Sequence, residues 1–311
     1  MSPIIEFKNV TKTYQDQEVL HPLNLAIEPG ELFVLVGPSG SGKTTTLKMI
    51  NGLIEPSMGE VFFKGQCIKE YDVDQMRWQM GYVLQQIALF PNMTVAENIE
   101  LIPEMLHWPR DKRRRRVDEV LTNVKLDPET YRHRAVSELS GGEQQRIGIV
   151  RAVAARPDII LMDEPFSALD PLSRTQLQDL VIHLHDTLGT TIIFVTHDMN
   201  EAVRLGDRIA VMDQGSLIQV DTPYNIQQHP ATDTVASMFA TLNQQRTVAG
   251  FRHHLTPLTK ANRLPSIAIT ETEQKLFQLL ENNDQVIVTE DKKAVGVLSR
   301  SAVFRCLAER H

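Results

Sequence analysis

Three runs of uninterrupted apolar residues punctuate the chain: ELFVLV (31–36), DIILMDEP (158–165) and TIIFVTHD (191–198). Short runs rich in Val, Leu and Ile, with no polar alternation, predict strands buried on both faces, as in a parallel sheet. A different pattern begins at LSGGEQQR (139–146), where apolar Ile147, Ile149, Val150 and Val153 follow Ser140 and Glu143. Ser-x-x-Glu has the form of a capping box, so a helix is expected to start there. It would start on two glycines, Gly141 and Gly142, although glycine in a helix costs about 0.5–1 kcal/mol relative to alanine. That bare N-terminus needs a reason. A second capping box, Thr94-Val-Ala-Glu97, precedes Ile99, Ile102 and Leu106 on one helical face.

The last part of the chain has its own pattern. Residues 234–270 contain no Asp or Glu, and NQQRTVAGFRHHLTPLTKANRLP lacks a sustained period, which predicts an irregular linker. SIAI (266–269) alternates like a strand. Thr270 and Glu273 would cap a helix carrying Leu276, Phe277, Leu279 and Leu280. QVIVTEDKKAVGVLS reads as a hairpin turning around Asp291 and Lys292, and SAVFRCLAE closes as a helix.

The chain has 311 residues, 42% hydrophobic and 23% charged, which is ordinary for globular protein and long enough for two or three domains. Its net charge of −7 argues against a general nucleic-acid binder. Cys67 and Cys306 lie far apart and are expected as reduced thiols in a cytosolic protein. The N-terminus has no signal pattern, and no apolar run approaches the ~20 residues that cross a bilayer. Any membrane role would be served from the water side, through another chain. RDKRRRR (110–116) holds six basic residues in seven. It reads as a solvated helix start before Val117, Val120, Leu121 and Val124, with anionic lipid headgroups as the alternative partner.

The first apolar run leads directly into GPSGSGKTT (37–45), which fits G-x-x-x-x-G-K-[ST]. Gly37, Pro38, Ser39, Gly40, Ser41 and Gly42 would form a turn whose N–H groups cradle phosphates, reinforced by the positive end of the next helix, including Thr45. Lys43 would reach the β- and γ-phosphates and Thr44 would ligate Mg²⁺. The other two runs end in candidates for the same chemistry, because strand C-termini in open α/β sheets face the ligand. Asp163 would hold Mg²⁺, Glu164 would polarise the attacking water, and His197 would contact the γ-phosphate.

With these residues in place, residues 4–240 closely resemble the ATPase subunit of ABC transporters. LSGGE matches the family signature, LMDEP the Walker B strand, SALD (167–170) the D-loop and His197 the switch histidine. Gln85 in YVLQQIALFP resembles the Q-loop glutamine, a further Mg²⁺ contact, and Tyr14 in TKTYQDQ the aromatic that stacks on adenine. The resemblance implies an α/β P-loop NTPase fold: an ABC ATPase domain over 1–240, with a helical subdomain at about 86–150. It also implies a homodimer in which Ser140, Gly141, Gly142 and the D-loop Asp170 of one copy cover the ATP held by the other. Phe90, Pro91 and Met93 would then contact integral membrane permease subunits at the cytoplasmic face of the membrane. The signature departs from the family's usual Gln at Glu143, which leaves a direct phosphate contact by that residue in doubt.

Within 89–110, and again in DTPYNI and HPATDTVASMFA, the chain is similar to importers of quaternary amines such as glycine betaine, carnitine or choline, whose cargo is chosen by a permease or a substrate-binding protein. An importer or exporter ATPase for another small solute is the alternative. A soluble P-loop kinase would not need the signature, D-loop and switch histidine together. A DNA-repair head-domain ATPase would carry a long coiled coil between Gly37 and Ser140. A non-catalytic regulator would be expected to lose Lys43 or Glu164. After a linker at 241–265, the β-α-β-β-α pattern of 266–311 resembles one CBS motif, a small α+β segment. Such motifs work in pairs, so the tails of a homodimer are expected to pair, with a regulatory adenine nucleotide or simple dimerisation as the two readings.

Overall fold

The computed structural model describes residues 2–167, 169–245, 248–256, 264–271, 273–290 and 293–309. The chain divides into two compact units, Met1–Val235 and Ala236–His311.

In the first unit, β1 (Ile5–Tyr14), β2 (Gln17–Ile27), β4 (Met58–Phe63) and β5 (Gln66–Cys67) form an antiparallel sheet in the order β2-β1-β4-β5. Around them runs a second sheet made of β3 (Leu32–Val36), β6 (Met80–Val83), β7 (Ile159–Asp163), β8 (Thr191–Thr196), β9 (Arg208–Asp213) and β10 (Ser216–Asp221), in the order β10-β9-β3-β8-β7-β6. Pairing is parallel from β9 to β6, and β10 closes one edge antiparallel. The three apolar runs are therefore the adjoining strands β3, β8 and β7, and every residue of each is buried. The register pairs Val36 with Thr196 and Asp163 with Val195, so their C-terminal ends finish level.

The helix Lys43–Ile50 lies between the sheets. Its Leu47 and Ile50 share one core with Phe7, Ile27 and Phe63 on one side and with Leu35, Leu161 and Ile193 on the other. The antiparallel sheet left no clean alternation in the sequence because register shifts interrupt β1 at Phe7, Val10 and Lys12. Such bulges break the period of two that marks a strand.

Between β6 and β7 the chain is helical: Val95–Met105, Arg110–Asn123, the short Pro128–Tyr131 and Gly141–Val153. The Thr94–Glu97 capping box is formed. Asn98, fully buried, accepts from Phe90 N at 2.8 Å and donates to Phe90 O at 3.2 Å and Thr94 O at 3.0 Å, fixing the loop that leads into this region. The basic run is only partly solvated. Arg113 pairs with Glu100 at 3.0 Å and Glu104 at 3.0 Å. Arg116 is buried and donates to Ala154 O at 2.9 Å and Val153 O at 2.8 Å, neutralising the C-terminal end of the Gly141–Val153 helix. Arg110, Lys112, Arg114 and Arg115 stay exposed.

The second unit holds β11 (Ser266–Ala268), the helix Glu273–Asn282, β12 (Gln285–Glu290), β13 (Lys293–Ser299) and the helix Arg300–Glu309. β11 pairs parallel to β12, which pairs antiparallel to β13. The element order is the expected one, while the turn residues Asp291 and Lys292 lie outside the described residues. The helix begins two residues later than a Thr270 cap would place it. The segment read as a linker is not wholly irregular. A 3₁₀ helix at Val248–His254 buries Val248 and Phe251 in one core with Ile267, Leu276, Val288 and Leu298. Two buried positions three residues apart on this seven-residue helix give too short a repeat to register as a period. No helix among the described residues is long and apolar enough to cross a membrane.

Candidate functional site

The loop after β3 is shaped by its glycines. A Cβ on Gly37 would lie 2.0 Å from Met212 O, which no side chain tolerates, and Gly42 has φ 97°, a left-handed conformation at the cap of the Lys43–Ile50 helix. Within this turn Lys43 Nζ donates to Gly37 O and Pro38 O, both at 2.8 Å, and to Ser41 Oγ at 3.4 Å. Pro38, Ser39 and Gly40 form the exposed lip, and Thr44 and Thr45 are half-buried in the first helical turn. The N–H groups of that turn have no intrahelical acceptor, which makes the loop an anion cradle. Burial pushes the Lys43 ammonium below its ordinary pKa, and the charges of Glu164 and Asp163 oppose that shift.

Level strand ends bring the acidic residues to the same place. Thr44 Oγ1 donates to Asp163 Oδ1 at 2.9 Å. Burial raises the Asp163 carboxyl above the usual carboxylate range, against the opposing pull of the Thr44 hydrogen bond, Lys48 and Lys43. A half-desolvated carboxylate beside a hydroxyl is a hard-oxygen donor pair suited to Mg²⁺. No group of three or more His, Cys, Asp or Glu side chains among the described residues could hold a metal alone. That also fits Mg²⁺, which takes only one or two carboxylates and completes its shell with neutral oxygens of side chains, phosphate and water.

Glu164, next along, adopts φ 45° and donates its N–H to Val195 O at 3.0 Å, which turns its side chain toward the end of β8. There His197 Nδ1 lies 2.9 Å from Glu164 Oε2. Gln85 joins through the D-loop serine: its Nε2 donates to Ser167 Oγ at 3.4 Å, and Ser167 Oγ donates to Glu164 O at 3.2 Å. Five sequence-derived positions, Lys43, Thr44, Asp163, Glu164 and His197, thus meet beyond the C-terminal ends of the adjoining strands β3, β8 and β7, and Gln85 reaches them through Ser167.

The remaining candidates sit elsewhere. Tyr14 ends β1 half-exposed, with Lys12 Nζ 4.8 Å from its ring centre. Among the described contacts none joins it to the phosphate loop. Ser140 caps the Gly141–Val153 helix through a complete capping box. A Cβ on Gly141 would meet nothing within 4 Å, and one on Gly142 only Ser173 Oγ at 3.8 Å. The chain's own packing therefore gives no reason for these glycines. Asp170 caps the helix Pro171–Leu188, accepting from Leu172 N at 3.1 Å and Ser173 N at 3.0 Å, while Ala168 lies outside the described residues.

Two contributors escaped sequence reading. Arg174 donates to Leu169 O at 3.4 Å and lies 3.6 Å from Asp198, linking the D-loop to the residue after His197. Tyr82, under the site on β6, has a buried hydroxyl without a hydrogen-bond partner, and burial beside Asp163 pushes its phenol pKa up. The His-Asp pair at 197–198 was a usable signal for the first; nothing in the sequence marked the second.

A family profile described as ABC transporter matches residues 20–167. The choline transport ATP-binding protein OpuBA of Bacillus subtilis is 42% identical over 309 residues, 97% of this chain and 80% of that protein. The glycine betaine/carnitine/choline transport ATP-binding protein OpuCA of the same organism is 49% identical over 75% of this chain and 61% of its own length. Among solved structures, the dimeric post-hydrolysis state of the ATP-binding cassette MJ0796, bound to ADP and Pi, superposes with a TM-score of 0.63 at 36% identity, over 70% of this chain and 98% of that one. Identity of this extent along nearly the whole chain, on a matching fold, places the protein in the ABC transporter family as one of its ATP-binding subunits.

Proposed function

We propose that this chain hydrolyses ATP to drive uptake of small quaternary ammonium solutes, of the glycine betaine, carnitine and choline type. It would act as a homodimer under integral membrane permease subunits at the cytoplasmic face of the membrane. The names of its relatives support the cargo class, and the dimeric MJ0796 cassette supports the assembly. The observation that carries the reading is the pairing of Thr44 with Asp163 and of Glu164 with His197, each at 2.9 Å, at the level ends of adjoining strands.

The phosphate loop binds the β- and γ-phosphates through its N–H groups, and Lys43 leaves its carbonyl partners for phosphate oxygens. Thr44, Asp163 and Gln85 are the residues that would hold Mg²⁺, which when bound neutralises the phosphates' developing charge. Glu164 takes the proton of the attacking water as the water oxygen bonds to the γ-phosphorus and the bond to the ADP oxygen breaks. His197 orients Glu164 through Nδ1, and its half-exposed ring would contact the γ-phosphate. Tyr14 stacks on adenine. The glycines of the partner's signature approach the same phosphate without a Cβ in the way, which is the reason the chain's own packing does not supply.

Leu84, Ile87 and Phe90 are exposed in the segment that follows β6, and Asn98 holds its far end. This apolar strip, with Pro91 and Met93, is the surface offered to the permease. In the second unit the β-α-β-β-α order supports a CBS-like module that pairs with its twin, as a site for a regulatory adenine nucleotide or as a dimerisation aid. The deciding experiment is ATP-driven uptake of labelled choline and glycine betaine in vesicles carrying this chain with a cognate permease. Uptake should stop with Glu164→Gln. Uptake that continues, or that is absent for every quaternary amine while another solute enters, contradicts the proposal.

A further inference from the structure

The signature serine is already engaged. Ser140 has one hydroxyl proton, and its Oγ lies 2.8 Å from Glu143 Oε2, which also accepts Ser140 N–H at 2.8 Å. Glu143 N–H in turn donates to Ser140 Oγ at 3.4 Å. The other carboxylate oxygen, Oε1, accepts the hydroxyl of Tyr131 from the short helix Pro128–Tyr131, and Arg134 stacks over that tyrosine ring at 4.4 Å. Three donors therefore converge on one carboxylate, and they hold its pKa below the ordinary value. Two consequences follow for a helix end that must receive a phosphate. The proton Ser140 would give to a phosphate oxygen points at Glu143 instead. The carboxylate also sets a negative charge beside the incoming anion, weakening the positive helix end.

We propose that Glu143, anchored by Tyr131, is a latch on the signature: it holds the Ser140 hydroxyl and repels the partner's nucleotide phosphates, and so raises the ATP concentration needed to close the dimer. This deepens the functional reading above and rests on its claim that Ser140 meets the partner's γ-phosphate. The latch makes closure depend on ionic strength, since a repulsion between partly exposed charges fades as the screening length shrinks from about 14 Å in ~50 mM salt to about 4 Å in ~500 mM salt.

The test uses the full-length chain, with ATPase rates measured across ATP concentrations at both salt levels. Glu143→Gln keeps one side-chain oxygen that can accept from Ser140, presents an amide N–H that can donate to the Tyr131 hydroxyl, and removes the charge. It should lower KM for ATP about fivefold at low salt, the size expected for one charge at a helix end, and the advantage should shrink toward unity at high salt. Tyr131→Phe leaves the charge but frees the carboxylate to swing away, and should lower KM in the same direction by a smaller factor. Ser140→Ala should raise KM. If both latch variants leave KM and its salt dependence at the wild-type values while Ser140→Ala still raises KM, the latch is wrong and the phosphate contact stands. If Ser140→Ala also has no effect, the underlying reading of the signature falls. Should Glu143→Gln prove unfolded by circular dichroism, Tyr131→Phe decides: an unchanged KM overturns the latch.

Discussion

Glu164 and His197 touch at 2.9 Å, so each constrains what the other can do. Glu164→Gln keeps the shape and hydrogen bonding but cannot take a proton. It should bind ATP and dimerise normally while turnover falls by roughly 10²–10⁴-fold, the contribution of a positioned general base. Single-turnover hydrolysis against nucleotide-binding fluorescence separates the two effects. Behind this pair, Glu201 is buried and accepts from Thr196 Oγ1 at 2.6 Å. Burial raises its pKa above the ordinary 4.5, helped by Asp198 and opposed by the Thr196 hydrogen bond, Arg174 and Gln178. A carboxyl whose pKa is higher folded than unfolded favours the fold when protonated, and that stability is lost as pH rises through the folded value. Wild type should therefore lose stability relative to Glu201→Gln as pH climbs from about 4.5 toward neutrality. Thermal melts of both across that range provide the check; a constant difference would show that Glu201 has no raised pKa.

At the scale of elements, the Gly141–Val153 helix is held at both ends by opposite charges. Glu143 completes the N-terminal cap, and Arg116 closes the last carbonyls from a neighbouring helix. Arg116→Met would leave Val153 O and Ala154 O without donors in a buried place, at a cost of about 2–4 kcal/mol. For a domain of this size that corresponds to a drop in melting temperature of about 5–10 °C, readable by calorimetry. A shift below a degree would mean that water replaces the guanidinium. Arg116 also shows where sequence reading stops. The phosphate loop, Asp163, Glu164 and His197 were legible because local geometry fixes their spacing: a tight turn, then a helix, and two strand ends. The run 110–116 looked like a solvated face because its charges are contiguous, yet Arg113 and Arg116 turn inward at a helical spacing of three. Whether a cation in such a run is buried depends on which carbonyls another helix leaves open, and that is tertiary information. Asn98 was hidden for the same reason, whereas Val248 and Phe251 were hidden by the short repeat of their 3₁₀ helix.

At the scale of the molecule, the described contacts of one chain assemble the phosphate loop, the carboxylates and the histidine, and leave Ser140, Gly141 and Gly142 apart from them. The contrast between glycines is informative. Gly37 is required by Met212 O of its own chain, whereas a Cβ on Gly142 would meet only Ser173 Oγ at 3.8 Å, an ordinary van der Waals contact. A side chain at 142 is therefore compatible with the monomer fold and should interfere only with what approaches from outside. Removing residues 236–311 should leave ATP binding intact and weaken ATP-driven dimerisation, as measured by light scattering; dimerisation of unchanged strength would detach the second unit from assembly.

If two chains share each site, two differently broken variants must restore activity to one another when mixed. Lys43→Ala breaks the phosphate loop and Gly142→Arg blocks the signature, so each variant alone should be nearly inactive. In an equal mixture, half of the two-fold dimers would pair one of each and carry one intact composite site, so ATPase activity should recover to about a quarter of wild type. A Gly142→Arg protein that hydrolyses ATP at the wild-type rate, or a mixture no more active than its two components, would contradict the account.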